Sequence, residues 1–455
     1  MMSSVVVGLG KTGASCLRFF AKRGIPAAAT DTRRSPPGLA ELGGLAASLD
    51  LRLGGFDLSL LEGATQLVMS PGVSLEEPIA SQARTRGIEV LGDIELFARA
   101  VRAPVIGVTG TNGKSTVTTL VARMAAAAGR RVLAGGNLGV PALDLLERET
   151  PDLYVLELSS FQLETTFSLE LEAAVVLNVT ADHLDRYASV GAYARAKARI
   201  FERAATMVLN LDDPLVAAMG TPRRGFARRA LPRHGTPRVL TFSLTREDAD
   251  FTRRSEGGRT LLVRRGEPLF DTARMKIGGL HNVANALAAL ALGEAAGFEI
   301  PAMLEALETF PGLAHRSAWV TDLAGVRYID DSKGTNVGAT LAAVSGIEGP
   351  VILIAGGVGK GQDFAPLAAA FRGKVRHAVL IGKDAPLIEA VLQDVCTTER
   401  AANMEDAVSD AAAAARPGDT VLLSPACASF DMFRDYGHRG DVFAAAVQAL
   451  DWSLR

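Results

Sequence analysis

Val105-Ile-Gly-Val-Thr-Gly110-Thr-Asn-Gly113-Lys114-Ser115-Thr116 is a β-rich run that enters a glycine turn and continues as the helical start Thr116-Val-Thr-Thr-Leu. Glycine has no Cβ, so the backbone can curl closely around a phosphate. N–H groups at the start of a helix point at such an anion, and the helix dipole assists them. Lys114 is placed to reach the terminal phosphates of a bound triphosphate, and the Ser115 hydroxyl to ligate Mg²⁺. Gly110, Thr111, Asn112, Gly113 and Thr116 complete the expected triphosphate cradle. Val108 stands where the usual eight-position phosphate loop has its first glycine.

A phosphate loop needs a metal partner on a neighbouring strand, and Leu153-Tyr-Val-Leu-Glu157 ends in one. A hard cation takes oxygen ligands, which a carboxylate supplies. The next apolar run, Ala174–Leu177, leads into Asn178 and then Asp182-His183, making His183 a further candidate ligand. Similar short runs recur at Val5–Val7, Leu67–Met69, Val351–Ala355, Ala378–Ile381 and Val421–Leu423, separated by longer helical patterns. Continuous apolar strands alternating with helices predict an α/β chain of parallel sheets covered on both faces. In such sheets ligands bind at the carboxyl ends of the strands, where the polar residues of this chain collect.

The 455 residues fall into three predicted domains, 1–93, 94–311 and 312–455. The segment Arg223–Arg265 is the least patterned and reads as a solvated hairpin on the second domain. Lys and Arg number 48 and Asp and Glu 50, so no overall basic field points to nucleic acid or to an anionic membrane. Cys16, Cys396 and Cys427 lie far apart and form neither a metal-type pair nor a secreted disulfide framework, which fits a reducing cytoplasm. The short apolar start lacks a charged leader, and no stretch approaches a membrane span.

Other strand ends carry their own chemistry. Gly8-Leu-Gly10-Lys11-Thr12-Gly13 follows Val5–Val7, and Asp31-Thr32-Arg33 closes the next apolar segment. That spacing is a dinucleotide fingerprint, and its geometry suits any pyrophosphate. Ser70-Pro71-Gly72 ends another strand and can add donors to the same site. In the third domain, Asp331-Ser-Lys333-Gly-Thr335-Asn336, Gly356-Gly-Val-Gly-Lys360 and Ser424-Pro-Ala-Cys-Ala-Ser429 are polar loops after strands. They suit a carboxylate-bearing ligand beside a nucleotide. Arg316, just after the Pro311-Gly312 joint, can reach towards the second domain, and Asn285 sits one turn beyond a helix cap at Asn282.

Taken together, these residues resemble the Mur ligase family over essentially the whole chain. Gly110–Thr116 looks like its ATP loop, Glu157 and His183 match its Mg²⁺ ligands, and Tyr193-Ala-Arg-Ala-Lys197 matches the stretch whose lysine is carbamoylated. His281–Asn285 and His315-Arg316 are similar to its nucleotide-contacting motifs. Asp331–Asn336 and Leu423–Ser429 resemble the third-domain signatures of the branch that adds D-glutamate, with Tyr436 where an aromatic lies near that substrate. Val358, Phe430 and Lys11 depart from the usual pattern.

The resemblance implies a Rossmann-like UDP-binding domain, a central P-loop-type ATPase domain with a mostly parallel sheet, and a Rossmann-like C-terminal domain. It implies a monomeric, cytoplasmic, ADP-forming ligase that joins D-glutamate to UDP-N-acetylmuramoyl-L-alanine through an acyl phosphate and a tetrahedral intermediate. The UDP substrate is expected on Gly10, Lys11, Thr12, Asp31, Thr32, Arg33, Ser70, Pro71, Gly72, Asn137 and His183. ATP is expected on the loop with Asn285, Arg316 and Asp331, and D-glutamate on Lys333, Thr335, Lys360, Ser429 and Tyr436. Two Mg²⁺ ions are expected on Ser115, Glu157, His183 and carbamoylated Lys197. A nicotinamide oxidoreductase would leave the second glycine loop, Glu157 and the lysines of the third domain without a role.

Overall fold

A computed structural model of the chain describes residues 3–220 and 235–450. Three sheets organise it. The first runs Asp50–Leu53, Ala27–Asp31, Ser3–Val7, Ala64–Met69 and Glu89–Leu91, all parallel. Val5, Val6 and Val7 are buried because helices cover both faces. Strand order reverses beside Ser3–Val7, which opens a crevice lined by Gly8 and Ser70. Helix Lys11–Lys22 buries Gly13, Cys16, Leu17 and Phe20 at helical spacing. A Cβ on Gly13 would lie 2.1 Å from the Gly8 carbonyl oxygen, so only glycine lets the helix approach the strand this closely.

The central sheet has nine strands, with Leu171–Val176, Val105–Thr109, Leu153–Glu157 and Val132–Gly136 adjacent in that order. Register pairs Val108 with Glu157 and with Val175, which brings the ends of three parallel strands to one rim. Helix Leu280–Ala295 packs on one face with Ala286, Leu287, Leu290 and Ala291 fully buried. Truncating such a leucine to alanine costs about 2–5 kcal/mol.

Residues 223–234 of the expected solvated hairpin lie outside the described residues. The rest corrects that expectation. Arg238–Ser243 pairs parallel with Ala204–Asn210, and Phe251–Glu256 with Arg259–Arg264 forms an antiparallel hairpin that extends the same sheet. Leu240, Phe242, Phe251 and Leu262 enter the core. Arg264 and Arg265 remain partly exposed and pair with Glu294 of the helix packed on this sheet.

Helix Asp93–Ala100 begins where the first sheet's domain ends. It is fastened to the central domain by Glu95, which accepts from Phe167 N, Ser168 N and Ser168 Oγ at 2.7, 2.9 and 2.8 Å. The third sheet follows Pro311-Gly312. It runs Ala318–Leu323, Val326–Asp330, Thr420–Leu423, Val351–Gly356, Val375–Ile381 and Thr397–Arg400, parallel except for its first pair. Ala411 and Ala412 are buried on helix Met404–Ala414. Among the described residues no helix is long and apolar enough to cross a membrane.

Candidate active site

The turn after Val105–Thr109 is tied down by the end of the next strand. Asn178 accepts from Thr111 N through its carbonyl at 2.9 Å and from Asn112 N through Oδ1 at 2.8 Å, and its Nδ2 donates to the Asn112 carbonyl at 3.1 Å. Gly113 has φ +85, and a Cβ there would sit 2.4 Å from Asn285 Oδ1. Asn285 is thus a wall of the loop, held in turn by its own Nδ2 donating to Asn282 Oδ1 at 3.1 Å. The first N–H groups of helix Lys114–Ala127 have no intrahelical acceptor and face the turn. Lys114 Nζ arches back to the carbonyls of Gly110 and Thr111 at 3.0 and 2.8 Å.

Around this loop lies a cavity of about 420 Å³. It gathers Thr111–Ser115, Asn137, Glu157, His183 and Lys197 from the central domain with Arg316, Lys333, Thr335, Lys360, Ser429 and Tyr436 from the third. Ser115 Oγ donates to Glu157 Oε2 at 2.6 Å, and Asn137 Nδ2 to Glu157 Oε1 at 2.6 Å. Arg316 Nη2 crosses from the third domain to Ser115 Oγ at 2.6 Å. A second chamber of about 160 Å³ adjoins it, sharing Asn112, Gly113, Arg316 and Lys333 and adding Thr116, Phe242, Asn285 and Asp331. Its apolar wall suits a planar base, and its polar rim suits a ribose.

The electrostatics of the cavity are lopsided. Lys114, Lys197, Lys333, Lys360 and Arg316 line it against the carboxylates Glu157 and Asp182. Burial, reinforced by Arg316 and Lys114, pushes the Lys333 ammonium down to about 7, while its Nζ sits 3.7 Å from the centre of the Tyr436 ring. Burial also lowers Lys114 and drives Lys197 well below the usual lysine range, with Lys114 adding to the latter. Burial would raise Glu157, but Lys114 and the bonds from Ser115 and Asn137 outweigh it and hold the carboxyl low. Burial lifts Asp331 to about 7. A site this rich in cations is built for phosphates and carboxylates.

Lys197 is fully buried. Its Nζ donates to the Gly110 carbonyl at 2.8 Å and lies 4.3 Å from the Tyr193 ring centre. His183 has φ +55, with its ring edge-on to Phe161 at 4.9 Å, and burial lowers its pKa. His183 lines the central cavity and not the first-domain crevice, so it faces only the far end of a substrate seated there.

That crevice, of about 660 Å³, brings together Gly10, Lys11, Thr12, Asp31, Thr32, Arg33, Ser70, Pro71, Gly72 and Asn137. Asn137 also lines the central cavity, so the two spaces meet there. Asp31 lines the crevice with the other residues expected there, and its oxygens are already engaged. Oδ2 accepts from Leu9 N and Arg33 Nη2 at 2.6 and 2.7 Å, and Oδ1 accepts from Arg33 N and Nε at 2.8 and 2.9 Å. With four donors already on it, Asp31 shapes the crevice wall and presents Arg33. Lys11, unusual for its position, donates to the Gly139 carbonyl at 2.6 Å and joins the first domain to the second.

Several contacts of the site carried no signal in the sequence reading. Asp182 is buried and receives Lys360 Nζ at 2.7 Å across the domain boundary. Asn112 and Asn336 exchange side-chain amide bonds at 3.3 and 3.1 Å across the same boundary. Arg186 and Gln162 line the first crevice. Proximity to His183 marked Asp182 itself, but long-range pairing gave no signal.

Comparison with known proteins agrees with this geometry. Residues 2–92 match the description "Mur ligase MurD-like, N-terminal domain", residues 108–293 "Mur ligase middle domain", and residues 315–427 "Mur ligase, glutamate ligase domain". The chain belongs to the Mur ligase family. Among its relatives, the UDP-N-acetylmuramoylalanine–D-glutamate ligase of Nitrosococcus oceani is 54% identical over 450 residues, covering 98% of this chain and 97% of that protein. The ligase of the same name from Methylococcus capsulatus is 50% identical, covering 98% and 94%. Solved structures sharing the fold include a pseudomurein peptide ligase type C from Methanothermus fervidus (TM-score 0.62, 19% identity, 99% and 100% coverage). Another is the UDP-N-acetylmuramate-alanine ligase of Thermotoga maritima (TM-score 0.62, 18% identity, 99% and 100% coverage). Mur ligases are ATP-dependent, amide-forming and use Mg²⁺.

Proposed function

We propose that this chain joins D-glutamate to the carboxylate of UDP-N-acetylmuramoyl-L-alanine, cleaving ATP to ADP and phosphate, as a monomer of the bacterial cytoplasm supplying peptidoglycan precursor. The observation that carries this is the meeting of a phosphate loop, a nucleotide-type crevice and three lysine- and hydroxyl-bearing loops in communicating spaces. The limits 1–93, 94–311 and 312–455 assign one substrate to each domain: UDP substrate, ATP and D-glutamate.

Gly10, Thr12, Arg33 and Ser70–Gly72 hold the UDP moiety, and the muramoyl-alanine arm passes Asn137 into the central cavity. Lys114 and Arg316 neutralise the γ-phosphate while the substrate carboxylate attacks phosphorus, expelling ADP and forming an acyl phosphate. Lys333, Thr335, Lys360, Ser429 and Tyr436 hold D-glutamate so that its amine attacks the acyl carbon. The tetrahedral intermediate collapses with loss of phosphate and of the amine proton. Closure of the third domain aligns the reactants and shuts water out of a hydrolysable intermediate.

The donor set fits Mg²⁺. Ser115 Oγ and Glu157 Oε2 lie 2.6 Å apart. A hydroxyl and a carboxylate oxygen this close are the hard oxygen donors such an ion takes. When bound, Mg²⁺ supplies charge neutralisation to the phosphates. Ser115 and Glu157 would hold one ion, and His183 with carbamoylated Lys197 the other.

A buried ammonium would repel such an ion, whereas a neutral amine can add CO₂ and become an anionic oxygen ligand. The depressed pKa of Lys197 favours the neutral amine. Lys197→Ala is expected to lose about 10²-fold or more in kcat, with small carboxylates restoring part of it. A parent enzyme fully active with Lys197 unmodified by mass spectrometry contradicts the carbamate.

A further inference from the structure

Gln362 follows the Gly356–Gly361 loop and is 8% exposed. Its Oε1 accepts from Val337 N at 2.9 Å, and its Nε2 donates to the carbonyls of Gly359 at 2.8 Å and Ala426 at 3.3 Å. An N–H on one side and two carbonyls on the other fix which end of the amide is which. These three backbone groups belong to three separate segments: the first turn of helix Val337–Ser345, the Gly356–Gly361 loop and the Ser424–Ser429 loop. Val337 lies two residues after Thr335, Gly359 immediately precedes Lys360, and Ala426 lies three residues before Ser429.

Two of these loops are held in uncommon backbone conformations. Lys360 has φ +54 and Ala426 has φ +57, a region non-glycine residues rarely occupy. Such conformations persist where surrounding bonds over-determine them. Backbone bonds join Ala426 to Gly334 and Val358 to Ala428, and buried Arg439 ties Ser332 to Cys427; Gln362 adds a side-chain tie that spans Val337, Gly359 and Ala426 at once.

We propose that Gln362 is a positioning residue for the amino-acid substrate. By locking the three segments to one another it sets the spacing between the side chains that receive the two carboxylates of D-glutamate. The inference rests on the reading above, in which those loops hold D-glutamate. Removing the brace leaves those backbone bonds but lets the Lys360 and Ser429 segments shift relative to Thr335, without touching the first-domain crevice, which none of these segments lines.

The test is steady-state kinetics of Gln362→Glu, Gln362→Leu and Gln362→Asn, with Lys360→Ala as reference. Glutamate at 362 turns a carboxylate towards two carbonyl oxygens, leucine deletes all three bonds, and asparagine keeps the amide one methylene short. The KM for D-glutamate should rise by about tenfold or more for the first two variants and by less for asparagine. The KM for the UDP substrate should stay within about twofold, and kcat at saturating D-glutamate within about threefold.

A merely structural role would lower kcat or active fraction and leave the D-glutamate KM unmoved. If the reference raises the D-glutamate KM and the Gln362 variants do not, the brace is overturned and the reading of the loops stands. If the reference also leaves it unmoved, the reading of the loops fails and the inference falls with it. Should the leucine variant fail to fold, the glutamate and asparagine variants carry the test.

Discussion

Replacing Arg316 by alanine removes a guanidinium that crosses from the third domain onto the phosphate loop. The group is half-buried and donates to Ser115 Oγ at 2.6 Å, beside Glu157. A hydrogen bond to a charged group contributes about 1.5–3 kcal/mol, which alone is a loss of roughly 10- to 150-fold. An arginine aimed at a transferring phosphoryl group is worth more, about 10³–10⁵, because the charge it meets grows in the transition state. Lys114 and Lys333 share the cavity and supply part of that screening. We therefore expect kcat to fall by about 10²–10³-fold, with the KM for the UDP substrate unchanged.

Arg316→Lys should recover part of the loss, since it keeps the charge but not the fork. The fold should not weaken, because Arg316 is crowded by other cations; Lys333 is held down partly by it. The assay is coupled ADP release, with thermal unfolding as the control. A kcat within about threefold of the parent would refute the assignment. A loss shared equally by the UDP-substrate KM, with a lowered unfolding temperature, would do so too.

Further expectations follow from other contacts. Gly113→Ala forces a Cβ to 2.4 Å from Asn285 Oδ1 at φ +85. It should cost about 1–3 kcal/mol locally and abolish the rise in unfolding temperature on adding ATP, and undiminished stabilisation by ATP would count against the loop. Lys333, held at about 7, loses its charge as pH rises through that value, so kcat/KM for D-glutamate should fall above it. Lys333→Arg should remove the inflection, whereas Asp331→Asn, which deletes the other group near 7, should keep it; the reverse pattern contradicts the assignment. An unfolded lysine keeps its proton to about pH 10.4, so Lys333 adds stability as pH rises across that window. Asn336→Ala removes the cap on Ala339 N, at 2.8 Å, and the amide exchange with Asn112. A stability loss of about 1–2 kcal/mol by calorimetry and a higher ATP KM are expected, and an unchanged unfolding midpoint would deny the contact any weight.

The parts legible in the sequence share one physical reason. In parallel α/β sheets the strand interiors are continuous apolar runs and their carboxyl ends face the ligand, so a glycine, acid or asparagine after such a run marks a site. Gly110, Glu157, Asn178, Asp31 and Ser70 were all readable in that way. Register could not be read, yet register brings Val108 beside Glu157 and lets Ser115 meet that carboxylate.

Pairs distant in sequence were equally silent. Asp182 with Lys360 and Asn112 with Asn336 depend on how the third domain sits on the second. Gln362 and Arg439 carry no pattern at all, because a polar residue in a loop or on a helix reads as solvated until its partners are known. Asp31 was found by spacing, but spacing could not tell that Leu9 and Arg33 already occupy its oxygens. The strands after residue 237 were read as solvated because their arginines and acids outnumber the few apolar residues, Phe251 and Leu262 among them, that enter the core.

The central claim is that ATP gripped by Gly110–Thr116 is spent to activate a carboxylate for coupling to D-glutamate. Phosphate release from purified protein with ATP and UDP-N-acetylmuramoyl-L-alanine, across a panel of D- and L-amino acids, tests it most directly. Release should be sustained with D-glutamate, negligible with L-glutamate or without the UDP substrate, and lost in Lys114→Ala. Equal release without the UDP substrate, or full activity in Lys114→Ala, would contradict it.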